Sequence, residues 1–383
     1  MNECSRRDVI ARLAVLSGSV TAGCNTQQSS GSTSSPTPGT DDDTPEDTPT
    51  ERPETATSTT EDRSSPDEQW SVAVGELGAS PTIVDEQVIT GGSEGLYALD
   101  KETGDQQWSY TSQVGVVGAS TIGDGTVYAP VMGGIVAIDL DSGTERWSLT
   151  PAEVADGSPA VEDGTVYIGL GDTLYAIDAA TGDTQWTASH RNTIHSSPVV
   201  VDETVYIGEN DGFDGTVYAL DANTGEEQWS ITPNGAVKSS PVVDSDTVYV
   251  GDTVGFDRKG YLYALDARTG DRQWTTELDA SIESQLVLGT DSVYATSTTG
   301  IHAFDAETGD EQWAKRIEPL VESSPTFADG TIYTGLGKTL RALEPETGTE
   351  IWRVKTEHPI ETRPTVAADT ICVSVNGRTI ALR

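Results

Sequence analysis

Eight tryptophans divide this chain into near-equal lengths. They stand at positions 70, 108, 147, 186, 229, 274, 313 and 352, at intervals of 38 to 45 residues. A unit of that size cannot bury a hydrophobic face alone, so each must pack on its neighbours. The stretch from 157 to 186 reads GSPAVEDGTVYIGLGDTLYAIDAATGDTQW. It breaks into four short runs: Ser-Pro-Ala-Val, Thr-Val-Tyr-Ile-Gly, Thr-Leu-Tyr-Ala-Ile-Asp, and the run around Trp186. The last three carry β-branched, aromatic and other apolar residues, separated by Gly, Asp and Asn turn signals. A four-stranded unit repeated near every 40 residues predicts an all-β chain. The expected architecture is an eight-bladed β-propeller of four-stranded antiparallel blades.

The turn before each tryptophan carries the motif Ala-x-Asp-x-x-Thr-Gly-x-x-x-Trp. It starts at Ala98, Ala137, Ala176, Ala219, Ala264, Ala303 and Ala342, with Ser142 in place of Thr and Glu344 in place of Asp in two copies. One large aromatic at one place per unit is a packing element between units. This repeat resembles that of the quinoprotein-type (PQQ-like) β-propellers, including the BamB-like lipoproteins. The resemblance covers residues 67–383. It implies that Trp70, Trp108, Trp147, Trp186, Trp229, Trp274, Trp313 and Trp352 each dock on the neighbouring blade.

The two ends of the repeat complement each other. The last unit stops at Arg383, before its turn and tryptophan, and Trp70 has no unit ahead of it. A strand near residues 68–74 should therefore complete the last blade as its outermost strand. That closes the ring and removes two exposed edges.

Residues 1–24 read as an address. Arg6 and Arg7 precede a weakly apolar run that ends in Thr21-Ala22-Gly23-Cys24. The run is too short to span a bilayer as a helix. It resembles a twin-arginine export signal ending in a lipobox, with Cys24 as the lipid-bearing residue. Residues 25–66 read as a tether: 25 of the 42 are Ser, Thr or Pro, and 9 acidic residues face 2 basic ones. Such a segment buries too little apolar area to offset ordering entropy. The domain plan is a signal over 1–24, a disordered tether over 25–66 and a propeller over 67–383.

Charge narrows the partners. The chain carries 62 acidic and 22 basic residues, a formal net charge of −40. From Trp70 onward 49 acidic residues face 17 basic ones, so about −32 belongs to the folded repeat. A surface of that sign repels phosphate backbones, which excludes nucleic acid as a partner. Only 6 of the basic residues are Lys. Acid excess with scarce Lys fits a salt-rich, halophilic setting outside the cell, where screening relieves the repulsion. The three cysteines supply no disulfide framework.

Ligands of a propeller usually sit at the mouth of its central channel. The connection that crosses from an outer strand to the next inner strand precedes the recurring Ser-Pro. Three residues before the Pro position stand Gly78, Gly118, Asp156, His195, Lys238, Glu283, Glu322 and Glu361. The residue directly before it is Ser in six units and Gln285 and Arg363 in the other two. A position that repeats belongs to the scaffold, and one that varies belongs to a site. His195, Lys238, Glu283, Gln285, Glu322, Glu361 and Arg363 are therefore the ligand-binding candidates. No catalytic residue and no metal ligand set stands out. His190 and His195 lack a third ligand at metal spacing. The inserted stretches Glu209–Gly215 and Asp252–Gly260 lack the alternating oxygen ligands of a Ca²⁺ loop and read as solvated surface loops.

The resulting reading is an extracytoplasmic, monomeric, non-catalytic propeller with no cofactor. Cys24 would hold it to the outer face of the membrane, and a protein partner of the envelope would bind it as a scaffold. Two alternatives stand beside it. The resemblance also covers PQQ- and Ca²⁺-dependent quinoprotein dehydrogenases, for which Glu283, Glu322 and Glu361 would meet the metal and Lys238 and Arg363 the quinone. The third is a peptide- or glycan-recognition module.

Overall fold

The computed structural model describes residues 65–76, 79–111, 115–254, 259–282, 284–316, 323–360 and 362–383. Arg6, Arg7, Cys24 and nearly all of the tether lie outside them. The described chain forms eight antiparallel blades. Each has four strands, and one blade gains a two-residue extra strand, Thr193–Ile194. Blade 3 shows the pattern: Ala160–Glu162 innermost, then Thr165–Leu170, Thr173–Asp178 and Thr184–Ser189 outermost. The second strand is wholly buried, the third mixes buried and half-buried positions, and the outer strand alternates between exposed and half-buried ones. That alternation fits an edge strand with one face on the next blade.

The ring closes as the repeat predicts. Strand Glu68–Ala73 pairs antiparallel with Arg378–Leu382, so blade 8 takes its outer strand from the beginning of the folded chain. Two backbone bonds lock the junction, Asp67 N–H to Arg383 O at 2.6 Å and Arg383 N–H to Asp67 O at 3.0 Å. Arg383 adds ion pairs to Glu102 and Asp369.

The turn motif explains how blades adhere. In blade 3 the Asp178 carboxylate accepts the N–H groups of Ala180 and Thr181 and the Thr181 hydroxyl. Gly182 then takes a left-handed φ of 78°, and a Cβ there would stand 2.7 Å from the Trp147 ring of blade 2. Only glycine supplies both the conformation and the space. The Trp147 indole N–H donates to Ala179 O at 2.9 Å across the same seam. Tyr128 reaches that carbonyl too, at 3.1 Å. Six further tryptophans repeat the bond: Trp70, Trp108, Trp186, Trp229, Trp274 and Trp313, at 2.7 to 3.1 Å. Trp352 faces blade 8, where the chain ends replace the turn, and packs on Tyr333 with ring centres 6.0 Å apart.

Antiparallel pairing gives the ring two distinct faces. Hairpins between strands one and two and between strands three and four lie on one, called here the turn face. Hairpins between strands two and three and the crossings between blades lie on the other, the loop face. Each of the eight inner hairpins on the turn face carries an acid: Asp85, Asp124, Asp163, Asp202, Asp246, Asp291, Asp329 and Asp369. The outer strand of blade 8 starts on this same face, at Glu68.

Candidate functional site

The loop face surrounds the channel mouth. Of the residues expected there, Glu283, Glu322 and Glu361 lie outside the described residues. Asp156 and His195, from successive crossings, meet: His195 Nδ1 stands 2.7 Å from Asp156 Oδ2, with side chains 38% and 40% exposed. That contact shows side chains from equivalent positions touching around the rim. Lys238 is exposed at the equivalent place in the next crossing. Gln285 is half-buried, and its backbone N–H donates to Ser324 Oγ at 3.1 Å.

The Ser position before each Pro is a ring of inter-blade bonds. Ser158 N–H donates to Ser197 Oγ at 2.9 Å, and Ser197 N–H to Ser240 Oγ at 2.9 Å. Arg363 N–H donates to Ser80 Oγ at 3.2 Å across the closing seam. The hydroxyl at this position therefore serves the preceding blade, which accounts for its repetition. Gln285 and Arg363 stand where the pattern lacks a hydroxyl. The Arg363 side chain reaches back to blade 7, with Nε donating to Thr326 Oγ1 at 3.0 Å. The residue is otherwise exposed. Among the described residues no carboxylate pairs with it.

Two residues that sequence reasoning placed in solvated loops are buried. The inserted stretches lengthen the second and third strands of blades 4 and 5, which run Thr204–Asn210 with Gly215–Asp221 and Thr247–Val254 with Lys259–Asp266. Glu209 and Asp252 occupy the same place in the two strands and are 1% and 0% exposed. Glu209 accepts the N–H groups of Arg191 and Asn192, both at 3.1 Å, and the Tyr218 hydroxyl at 3.1 Å. Asp252 accepts the N–H groups of Gly235 at 3.0 Å and Tyr261 at 2.8 Å, and the Tyr263 hydroxyl at 2.8 Å. Burial raises the Asp252 pKa against these hydrogen bonds. Each carboxylate thus clamps the crossing that presents a rim candidate, His195 or Lys238. The sequence signal was available: an acid stands at this strand position only in these two blades, where the others carry glycine, an apolar residue or serine. In so acidic a chain, two more acids looked like surface filler.

The remaining histidines and the buried cysteine have local explanations. His190 packs edge-on against Tyr218 with ring centres 4.6 Å apart, and burial lowers its pKa. His302, which stands where several blades carry Tyr, links Glu311 through Nδ1 and Ser297 through Nε2, both at 2.9 Å. Ser297 is buried, at 3% exposed. Cys372 is fully buried, and burial pushes its thiol up to about 12. No group of three or more potential metal-holding side chains occurs among the described residues.

Among curated proteins none matches the chain. Solved structures that superpose on it include BamB from Moraxella catarrhalis, at 21% identity and a TM-score of 0.70, covering 83% of this chain and 99% of that one. A europium-containing methanol dehydrogenase superposes at 16% identity and a TM-score of 0.67, covering 81% and 84%. The quinohaemoprotein alcohol dehydrogenase of Comamonas testosteroni does so at 14% and 0.69, covering 84% and 77%. At these identities the likeness shows the fold alone. The sequence family described as outer membrane protein assembly factor BamB matches over residues 59–132, 131–318 and 297–383, and this chain belongs to that family.

Proposed function

We propose that the chain is an extracytoplasmic, non-catalytic scaffold whose loop face binds a protein partner at the cell envelope. The observation that carries this is the placement of exposed apolar side chains. Met132, Val154 and Phe213 are 48%, 46% and 60% exposed, and all three lie on loop-face connections of blades 2 to 4. Large apolar side chains gathered on one face of a highly charged protein favour a macromolecular contact. The turn face, with an acid in every inner hairpin, suits solvent. Family membership supports the same reading, since the family is described by an assembly role. Export through Arg6 and Arg7, lipidation of Cys24 and the 25–66 tether complete the proposal.

The test is crosslinking from the loop face in intact cells. A photoreactive residue at Met132 or Val154 should capture one reproducible partner, and the same probe at Asp163 on the turn face should not. Equal capture from both faces, or none from either, rejects the reading.

The quinoprotein alternative draws on the shared fold and on Lys238 and Arg363 as carboxylate-binding cations. The described rim suits Ca²⁺ poorly. It offers His195, Lys238, Gln285 and Arg363, and its Asp156 carboxylate is already engaged by His195. Saturable quenching of tryptophan fluorescence by pyrroloquinoline quinone with Ca²⁺, together with dye reduction, would favour this alternative over the scaffold.

A further inference from the structure

The loop-face connections of blades 2 to 4 are tied into one strip by backbone bonds. In the crossing from blade 2 to blade 3, Ala152 N–H donates to Gly133 O of the blade 2 hairpin at 3.1 Å. From the other side, Gly171 N–H of the blade 3 hairpin donates to Val154 O, also at 3.1 Å. The crossing from blade 3 to blade 4 is held in turn, with His190 N–H to Asp172 O at 2.8 Å and Ile194 N–H to Gly171 O at 2.9 Å. Thr193 and Ile194 then pair with Asn210 and Glu209, which lead into the hairpin of blade 4. There the Asp211 carboxylate accepts the N–H groups of Phe213 and Asp214, both at 2.9 Å, and fixes the turn that carries the Phe213 ring. The exposed side chains of Met132, Val154 and Phe213 therefore stand on a frame already set before a partner arrives.

These apolar side chains are set among acids. Glu153, Asp156, Asp172, Asp211 and Asp214 are exposed on the same connections. A Cβ on Gly171 would stand 2.7 Å from a Glu153 carboxylate oxygen, which places that carboxylate against the blade 3 hairpin. Arg191 is the one exposed Lys or Arg on these connections, and His195 already meets Asp156. We propose that this strip takes a basic, apolar-anchored segment of the envelope partner, one in which apolar side chains are interleaved with Lys or Arg. The inference rests on the scaffold reading above and specifies the chemistry of what that scaffold binds. The partner's apolar side chains supply contact area beside Met132, Val154 and Phe213, and its cations meet the carboxylates around them. An acidic segment would bring like charge onto those carboxylates, and a neutral one would take them out of water without a partner.

The test uses the full-length chain and three fluorescein-labelled heptapeptides, read by fluorescence anisotropy. The first is Lys-Leu-Lys-Phe-Lys-Val-Lys. The second carries Glu in place of every Lys, and the third carries Ser in place of every apolar residue. Potassium chloride at about 1 M cuts the screening length to about 3 Å, so that only close charge contacts count. The first peptide should bind saturably, and the other two about tenfold more weakly or worse. Val154→Ser with Phe213→Ser should weaken the first peptide about tenfold, and Glu153→Gln with Asp172→Asn about threefold to tenfold. All four side chains are exposed, so these variants should fold. Asp124→Asn with Asp163→Asn removes two acids from the turn face and should leave binding unchanged. No binding of the first peptide, or equal binding of the Glu peptide, overturns the proposal. Equal binding of the Ser peptide, or an equal loss from the turn-face variant, reduces the effect to general attraction of a cation by an acidic protein and overturns it too. The crosslink at Val154 in cells separates this inference from the scaffold reading. The partner segment joined there, sequenced by mass spectrometry, should carry more Lys and Arg than Asp and Glu. A captured segment without that excess overturns the basic class and leaves the scaffold reading standing, whereas no capture at all removes both.

Discussion

Asp252 shows what a single side chain contributes to this fold. Its carboxylate is removed from water and holds two backbone N–H groups and one hydroxyl. The desolvation outweighs the hydrogen bonds, so its pKa is raised in the folded state. A raised carboxylate binds its proton more tightly when folded than when unfolded. Stability from this residue therefore falls as pH rises from the unfolded value of 3.8 through the folded one. Asp252→Asn removes that dependence and turns an amide donor toward backbone donors, at a cost of about 1–3 kcal/mol. Urea unfolding across this pH range should find the advantage of wild type over the variant shrinking as pH rises. The exposed turn aspartates behave oppositely. Asp178 is held below its ordinary pKa first by the Thr181 N–H, and its contribution is lost as pH falls through the folded value.

At the scale of one strand, Glu68–Ala73 decides whether blade 8 exists. It covers the edge at Arg378–Leu382 and brings Trp70 against blade 1, where the indole bonds Lys101 O at 2.9 Å. Removing residues 65–74 should bare that edge and leave Gly104 and its neighbours without their aromatic cover. Deleting one buried Trp alone costs about 3–5 kcal/mol. The truncated chain should melt at a lower temperature and associate through the open strand. A synthetic peptide spanning 65–76 should restore the melting temperature, and failure of such rescue would place the loss elsewhere. This strand was legible in the sequence because the first Trp lacks a preceding unit and the last unit lacks a Trp. The lengthened hairpins were not. Their extra residues mark the right position, but spacing alone does not distinguish a loose loop from a longer strand. The difference lies in Glu209 and Asp252, whose burial depends on backbone donors from a different connection. The rim was legible as a set of positions, of which the structure brings Asp156 and His195 together. The reach of Arg363 back to Thr326 of blade 7 had no signal in the spacing.

For the molecule as a whole, charge is the dominant variable. About 32 excess negative charges on residues from Trp70 onward repel one another, and the inner hairpins concentrate part of them on one face. Screening lengths fall from about 10 Å at 0.1 M salt to about 3 Å at 1 M. Thermal melts in potassium chloride should therefore rise steadily across that range. A melting temperature independent of salt would mean that the acids are locally neutralised and would weaken the inference of a salt-rich setting. No helix among the described residues is long and apolar enough to cross a membrane.

The closing strand also determines how the ring meets mechanical load. A pull arriving along the chain enters at Asp67, on the turn face, and runs parallel to strand Glu68–Ala73. Its hydrogen bonds to Arg378–Leu382 lie across that direction and would be loaded together in shear, not peeled one at a time. The Asp67–Arg383 bonds and the Arg383 ion pairs stand first in the path. Tension on the chain ahead of Asp67 would therefore be borne by the whole length of this strand pair at once.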